Sequence, residues 1–335
     1  MDTSTAGAGT PLLEVKGLKK YFPAGGGMLH AVDDVTLSIE KGQTLGIVGE
    51  SGCGKSTLGR TIIHLYESTA GQILFEGEDV THVSKERLAR LRREMQIIFQ
   101  DPYSSLDPRC TVEQTIQEPL VLSREYNADQ MRIRTQELMD LVGIDKRMMH
   151  SYPHELDGGR RQRVGIARAL AMSPKFIVCD EPVSALDVSI QAQVLNLLSD
   201  LQDQYQLTYM FVTHDMSVVR HISDNICVMY LGQAVETSES MELFEQPLHP
   251  YTKALLSAIP STDIDKPRNR EKILQGEIVS PIDPEPGCRF AARCPYASEQ
   301  CHRPQKLEEV RPGHFVSCCR VRQINGELDE MTTPE

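Results

Sequence analysis

Tryptophan is absent from this 335-residue chain and aromatic residues make up only 5% of it, which by itself excludes little. The lack of positive charge excludes more. With 35 Lys and Arg against 47 Asp and Glu, the formal net charge is −12, which argues against a protein that grips nucleic-acid phosphates through a broad basic surface. No run approaches the roughly 18 to 20 apolar residues of a membrane helix. The Ala-, Ile- and Leu-rich stretch after residue 163 is broken by Arg168, so the chain itself is not expected to span a bilayer. The opening MDTSTAGAGTP has neither a basic n-region nor an apolar h-region, and residues 1–11 read as a flexible tail rather than a secretory signal. Internal repeats and long low-complexity tracts are also missing. What is present is a globular composition, 40% hydrophobic and 24% charged, which rules out a wholly disordered, collagenous or coiled-coil chain.

The length favours one large α/β domain with an appendage. Nine cysteines are distributed unevenly: Cys53, Cys110, Cys179 and Cys227 are scattered, while Cys288, Cys294, Cys301, Cys318 and Cys319 crowd the last fifth. Alternating apolar residues from Leu12 to Ile39, interrupted by PAGGG at 23–27, predict antiparallel strands joined by a turn. Residues Ser84 to Arg93 have a helical composition, and helical periodicity around Thr115–Leu122 and Asp129–Val142 predicts a helical insertion at about 101–165. FIVCDEP and TYMFVTHD are short apolar runs flanked by amphipathic helices, the pattern of buried parallel strands. After about Ser261 the chain turns Pro-, Arg- and Cys-rich, which sets the expected boundary between a domain at 12–260 and another at 261–335.

Gly49-Glu50-Ser51-Gly52-Cys53-Gly54-Lys55-Ser56-Thr57 fits G-x-x-x-x-G-K-[ST] between an apolar strand and a helix. Glycines let backbone N–H groups turn inward around an anion, the helix aims its positive end at it, and Lys55 adds a point charge. Ser56 is placed to ligate Mg²⁺. Cys53 reads as a tolerated small residue whose alkylation should block nucleotide binding. Phe176-Ile177-Val178-Cys179-Asp180-Glu181 is an apolar strand ending in two carboxylates, with Asp180 on the metal side and Glu181 within reach of the attacking water as base or orienting group.

Together with Leu156-Asp157-Gly158-Gly159-Arg160-Arg161-Gln162-Arg163, Ser184-Ala185-Leu186-Asp187 and Thr213-His214-Asp215, these motifs resemble the ATP-binding subunits of ABC transporters over about residues 12–260. The resemblance implies a P-loop α/β core with an antiparallel β subdomain and a helical subdomain. Two such domains would sandwich two ATP molecules head to tail, with Gly158 and Gly159 contacting the ATP held by the partner's phosphate loop. It also implies that Gln100 senses Mg²⁺ and the membrane partner, that His214 meets the γ-phosphate, that Asp187 crosses between the sites, and that an aromatic ring of Tyr21-Phe22, Phe22 by its offset, stacks on adenine.

The family signature is usually Leu-Ser-Gly-Gly-Gln, whereas here Asp157 replaces the serine and Arg160 the glutamine. An ionised Asp caps a helix well but cannot donate to a phosphate and repels it. At about 4 Å the repulsion is on the order of 1 to 4 kcal/mol. The composite site containing Asp157 is therefore expected to hydrolyse ATP slowly, with Arg160 offsetting part of the penalty; an alternative cap that the site tolerates is the competing reading.

Gln100-Asp101-Pro102-Tyr103-Ser104-Ser105-Leu106-Asp107-Pro108-Arg109, His249-Pro250-Tyr251-Thr252-Lys253-Ala254-Leu255-Leu256, Gly276-Glu277 and Pro286-Gly287-Cys288 resemble the dipeptide and oligopeptide import ATPases, and most of all their second, F-type subunit. That resemblance extends through about residue 320. It implies a heterodimer with a paralogous ATPase, two permease subunits docked on the helical insertion, an extracytoplasmic peptide-binding protein, and a peripheral place on the cytoplasmic face of the membrane. A nickel or other solute importer and a soluble, non-transport ABC ATPase are the alternatives. Four thiols spaced Cys288-x5-Cys294-x6-Cys301-x16-Cys318, in a chain without an export signal, point to metal binding rather than a disulfide framework. The loose spacing argues modestly against zinc, and the resemblance favours a [4Fe–4S] cluster with Zn²⁺ and unligated thiols as alternatives. Cys319 is an alternative to Cys318 as fourth ligand.

Overall fold

The computed structural model describes residues 10–259 and 280–326. The chain opens with a hairpin of β1 (Leu13–Ala24) and β2 (Gly27–Ile39), then β3 (Thr44–Val48) and α1 (Lys55–Ile62). Next come β4 (Ala70–Phe75), β5 (Glu78–Asp79), α2 (Lys85–Glu94) and β6 (Met95–Ile98). Three helices follow, α3 (Val112–Ser123), α4 (Ala128–Leu141) and α5 (Gly158–Leu170), before β7 (Phe176–Asp180), α6 (Val188–Tyr205) and β8 (Thr208–Thr213). α7 (Met216–Ile222), β9 (Asn225–Tyr230), β10 (Gln233–Glu239), α8 (Ser240–Glu245) and α9 (Pro250–Ser257) lead to β11 (Glu308–Arg311), β12 (His314–Val316) and α10 (Val321–Asn325).

Two sheets result. The antiparallel one has the order β2-β1-β4-β5, as the alternation between Leu12 and Ile39 predicts, with Ala24 paired to Gly27 across the turn. The other runs β11-β12-β10-β9-β3-β8-β7-β6, parallel from β9 to β6 and antiparallel beyond β9. Strands β3, β7 and β8 are buried along their whole length, which a parallel sheet covered on both faces requires. Successive side chains serve opposite faces. Phe176, Val178, Met210 and Val212 join the core under the antiparallel sheet and α1, while Ile177, Cys179, Tyr209 and Phe211 join the core shared with α3, α5 and α6.

The helical insertion lies between β6 and β7. Its helices start at strong caps: Thr111 and Gln114 form a reciprocal capping box for α3, and Asn127 and Gln130 another for α4. Leu120, Leu138, Met139 and Val142 seal the insertion against α5, leaving Val121 and Leu122 exposed. The expected boundary at 260/261 and residues 1–9 of the tail expected at 1–11 lie outside the described residues. The segment from 280 onward packs back on the cassette: β12 pairs with β10 through Glu236 and Thr237, and Phe290 enters an aromatic cluster with Tyr230 and Tyr251. Among the described residues no helix is long and apolar enough to cross a membrane.

Candidate nucleotide site

The phosphate loop leaves β3 and enters α1 in a conformation that side chains would obstruct. Gly54 has φ 102°, and a Cβ there would lie 2.0 Å from the Ala31 carbonyl oxygen; at Gly49 it would lie 2.2 Å from that of Met229. No side chain caps α1 and its first turn holds no acid, so its leading N–H groups are available to an anion. Lys55 is buried, with Nζ donating to the carbonyls of Gly49 (2.8 Å) and Glu50 (2.9 Å). Ser51 and Gly52 lie exposed on the loop's outer side, and Thr57 continues the first turn of α1.

The end of β7 supplies the acids. Ser56 Oγ donates to Asp180 Oδ1 at 2.5 Å, so the two oxygen groups expected to hold Mg²⁺ already meet. Both are the hard oxygen donors this ion prefers. Glu181 adopts φ 47°, a left-handed conformation that costs a non-glycine residue of order 1–3 kcal/mol and turns its carboxylate out of the strand line. Gln100 Nε2 donates to Glu181 Oε2 at 2.9 Å, and His214 Nδ1 lies 3.3 Å from the same oxygen. Residues following β6 and β8 thus converge on the one carboxylate that follows β7.

Arg60 completes this cluster without having been foreseen. Its Nη2 lies 3.0 Å from Asp180 Oδ2, and Asp180 has no exposed surface. The available signal was its spacing: Arg60 follows Ser56 by one helical turn, so both project from one face of α1.

Phe22 and Tyr21 end up in different roles. Tyr21 stacks on His30 at 3.9 Å and donates its hydroxyl to Asp33, and burial together with that carboxylate pushes the phenol upward. Half-buried Phe22 meets Tyr66 edge-on at 5.5 Å, with Lys20 Nζ 4.7 Å from its ring centre. Cys53 is 2% exposed beneath the loop, and burial raises its thiol pKa, in keeping with a small packing residue rather than a nucleophile.

The signature turn makes its own contacts. Asp157 caps α5 by accepting from Arg160 N at 2.8 Å, and its other oxygen is 3.2 Å from Arg160 Nη1. A Cβ on Gly159 would press within 2.7 Å of Ile190, and one on Gly158 within 3.2 Å of Leu186, so the turn packs against the segment carrying exposed Asp187. Among the described residues no hydrogen bond or ion pair joins Asp157, Gly158, Gly159 or Asp187 to the phosphate loop of the same chain.

Cys288, Cys294, Cys301, Cys318 and Cys319 line one narrow cleft. All are free thiols. Burial, reinforced by the neighbouring cysteines, pushes Cys288 up to about 12 and raises Cys294 and Cys318. Among the described residues no group of three or more Cys, His, Asp or Glu side chains is set to hold a metal ion, so neither the expected [4Fe–4S] cluster nor its Zn²⁺ alternative finds a preformed ligand set here.

Comparison with known proteins agrees with this geometry. A family model described as ABC transporter matches residues 32–184, and one described as the oligopeptide/dipeptide transporter C-terminal region matches residues 235–301. The oligopeptide transport ATP-binding protein AppF of Bacillus subtilis (strain 168) is 49% identical over 324 residues, covering 94% of this chain and 98% of its own length. OppF of the same organism, also described as an oligopeptide transport ATP-binding protein, is 50% identical over 309 residues, 92% of this chain and 96% of its own. Among solved structures, cbiO1 from Clostridium perfringens, part of an ABC transporter complex, aligns with TM-score 0.63 and 28% identity over 70% of this chain and 91% of that one. A dimeric ABC cassette, MJ0796, bound to ADP and Pi, aligns with TM-score 0.62 and 29% identity over 68% and 98%. The chain therefore belongs to the ABC-transporter ATPases, in the group that carries the oligopeptide/dipeptide transporter C-terminal region.

Proposed function

We propose that this chain is the ATP-hydrolysing subunit that energises import of di- and oligopeptides through a membrane ABC transporter. The observation that carries the reading is the convergence of Gln100 and His214 on the Glu181 carboxylate beside the Ser56–Asp180 pair. ATP would place its phosphates on the phosphate loop and the N-terminus of α1, with adenine on Phe22. Mg²⁺, held through Ser56 and Asp180 with Gln100 nearby, would neutralise charge developing on the phosphate oxygens. Glu181, poised by Gln100 and His214, would accept a proton from the attacking water or orient it.

A dimer supplies the rest. The lack, among the described residues, of any hydrogen bond or ion pair from the Asp157–Gly159 turn to the chain's own loop supports composite sites, each completed across a subunit interface. The departure at Asp157 and Arg160 supports a paralogous ATPase as partner, so that one composite site turns over slowly while the other carries hydrolysis. Two permeases would dock on the helical insertion, where Val121 and Leu122 lie exposed, at the cytoplasmic face of the membrane, with peptide delivered by an extracytoplasmic binding protein. Five cysteines lining one cleft support a structural [4Fe–4S] cluster held by Cys288, Cys294, Cys301 and either Cys318 or Cys319.

Co-expression with candidate permeases and a paralogous ATPase tests the assignment. Membranes should yield one complex whose ATPase is stimulated by peptide-loaded binding protein and falls at least 10²-fold with Glu181→Gln. Stimulation by nickel alone, or an ATPase that never associates with permeases, would sink the peptide reading. Iron and acid-labile sulfide on anaerobically purified protein decide the cysteine site: about four of each per chain supports the cluster, and their absence removes it.

A further inference from the structure

The turn from Cys288 to Cys294 holds the nucleotide site from behind through two arginines. Arg293, with only 7% of its side chain exposed, forks onto Glu50 of the phosphate loop, Nη1 to Oε2 at 2.7 Å and Nη2 to Oε1 at 3.0 Å. The same Nη1 donates to the Tyr230 hydroxyl at 3.3 Å. Glu50 is bound on its backbone too: its N–H donates to the Tyr251 hydroxyl at 2.9 Å and its carbonyl accepts from Lys55 Nζ. Tyr230, Tyr251 and Phe290 pack together beneath, with ring centres 4.7 to 5.4 Å apart. Four residues earlier, buried Arg289 donates to the Leu231 carbonyl and to Asp33, the carboxylate that also accepts from Tyr21 next to Phe22.

We propose that Arg293 is a positioning residue for ATP binding: it fixes the phosphate loop through Glu50 and cancels a negative charge that would otherwise face the phosphates, while Arg289 steadies the strand pair carrying Phe22. A carboxylate inside an anion-binding loop works against that loop's purpose unless it is neutralised. The bidentate fork does this with a fixed geometry that a lysine cannot reproduce. The arginine reaches the loop from 243 residues downstream, so the cysteine-bearing segment becomes part of the framework of the nucleotide site. The proposal rests on the reading of Gly49–Thr57 as the phosphate site.

The test measures Mg-ATP affinity of the full-length chain and KM and kcat of the assembled transporter. Arg293→Ala should raise the ATP Kd and KM about tenfold with kcat changed less than twofold, and Arg293→Lys should give a rise of several-fold. Adding Glu50→Gln to Arg293→Ala should recover most of the affinity, because the uncancelled charge is gone. A role confined to holding the fold together would lower the melting temperature of Arg293→Ala and leave Kd within twofold of the wild type, and that overturns the proposal. Should the alanine variant not fold, an Arg293→Lys chain that melts like the wild type and binds ATP equally well overturns it in the same way. Failure of the wild type itself to bind Mg-ATP would instead remove the phosphate-site reading.

Discussion

Arg60 places a guanidinium nitrogen 3.0 Å from the carboxylate of Asp180, which is wholly buried at the end of β7. The guanidinium keeps a charge at the centre of the fold from standing unpaired when no divalent cation is present. Removing one member of such a pair strands the other in a low-dielectric site.

Arg60→Ala is accordingly expected to destabilise the nucleotide-free protein by about 1–3 kcal/mol, less than for a fully buried pair because Arg60 is one-third exposed. Adding Asp180→Asn should return much of that loss. Urea unfolding of the two single variants and the double variant reads it directly. Additive costs would mean the pair is not coupled.

Asp157 carries its own partial neutralisation in the Arg160 side chain, 3.2 Å away, on an exposed turn. Asp157→Ser with Arg160→Gln should raise ATP turnover in the assembled complex, because the turn then offers a donor to the phosphate instead of a charge. Steady-state ATPase assays on reconstituted complexes measure this. An unchanged rate would leave Asp157 as a helix cap with no catalytic penalty.

The cysteines should differ sharply toward alkylating agents. Cys53, Cys179 and Cys227 are buried, and burial raises each thiol, Cys227 to about 11. The thiolate is the reactive form, so these three should label only on unfolding, while Cys319, whose thiol is raised as well but lies exposed, labels early in cluster-free protein. Mass spectrometry after timed iodoacetamide treatment gives the order. Rapid labelling of Cys53 in native protein would show that the phosphate loop opens.

His314 clamps β12 to β10 from a fully buried position, with Nε2 2.8 Å from Glu236 Oε1 and Nδ1 2.8 Å from Glu242 Oε1 on α8. Burial alone would lower its pKa, but the two carboxylates raise it above the unfolded value of about 6.5. Its contribution to stability is thus complete below that unfolded value and is lost as pH rises through the raised one. Neighbouring His249 acts oppositely. Held near 4 by burial, it stays neutral while the unfolded chain takes up a proton, so stability also falls as pH drops from about 6.5 toward 4. Denaturation across pH 4–9 should show both flanks, and His314→Gln should flatten the alkaline one.

The elements most legible in the sequence were those whose physics is local. Gly49, Gly54, Lys55 and Ser56 sit within one strand–loop–helix unit, so their spacing already implies an anion site. The alternation in Leu13–Ile39 needs only a pleated strand with one buried face, and β1 and β2 follow it. Arg60 lay within reach of the same local reading through its one-turn offset from Ser56. The Asp33–Arg289 and Glu50–Arg293 pairs did not, because nothing near either arginine in the chain marks its partner.

By itself, then, the sequence determined the chemistry available: a phosphate loop, two carboxylates after an apolar strand, an amide and an imidazole in a recognisable order, and a cluster of thiols. The tertiary structure alone decided which of these meet. Parallel pairing of β6, β7 and β8 sets Gln100, Glu181 and His214 at the C-terminal ends of neighbouring strands, and the packing of Phe290 on Tyr230 and Tyr251 holds the cysteine-bearing turn behind the phosphate loop. The physical reason is that strand order and register are fixed by burial summed over the whole core, to which residues far apart in the chain contribute together.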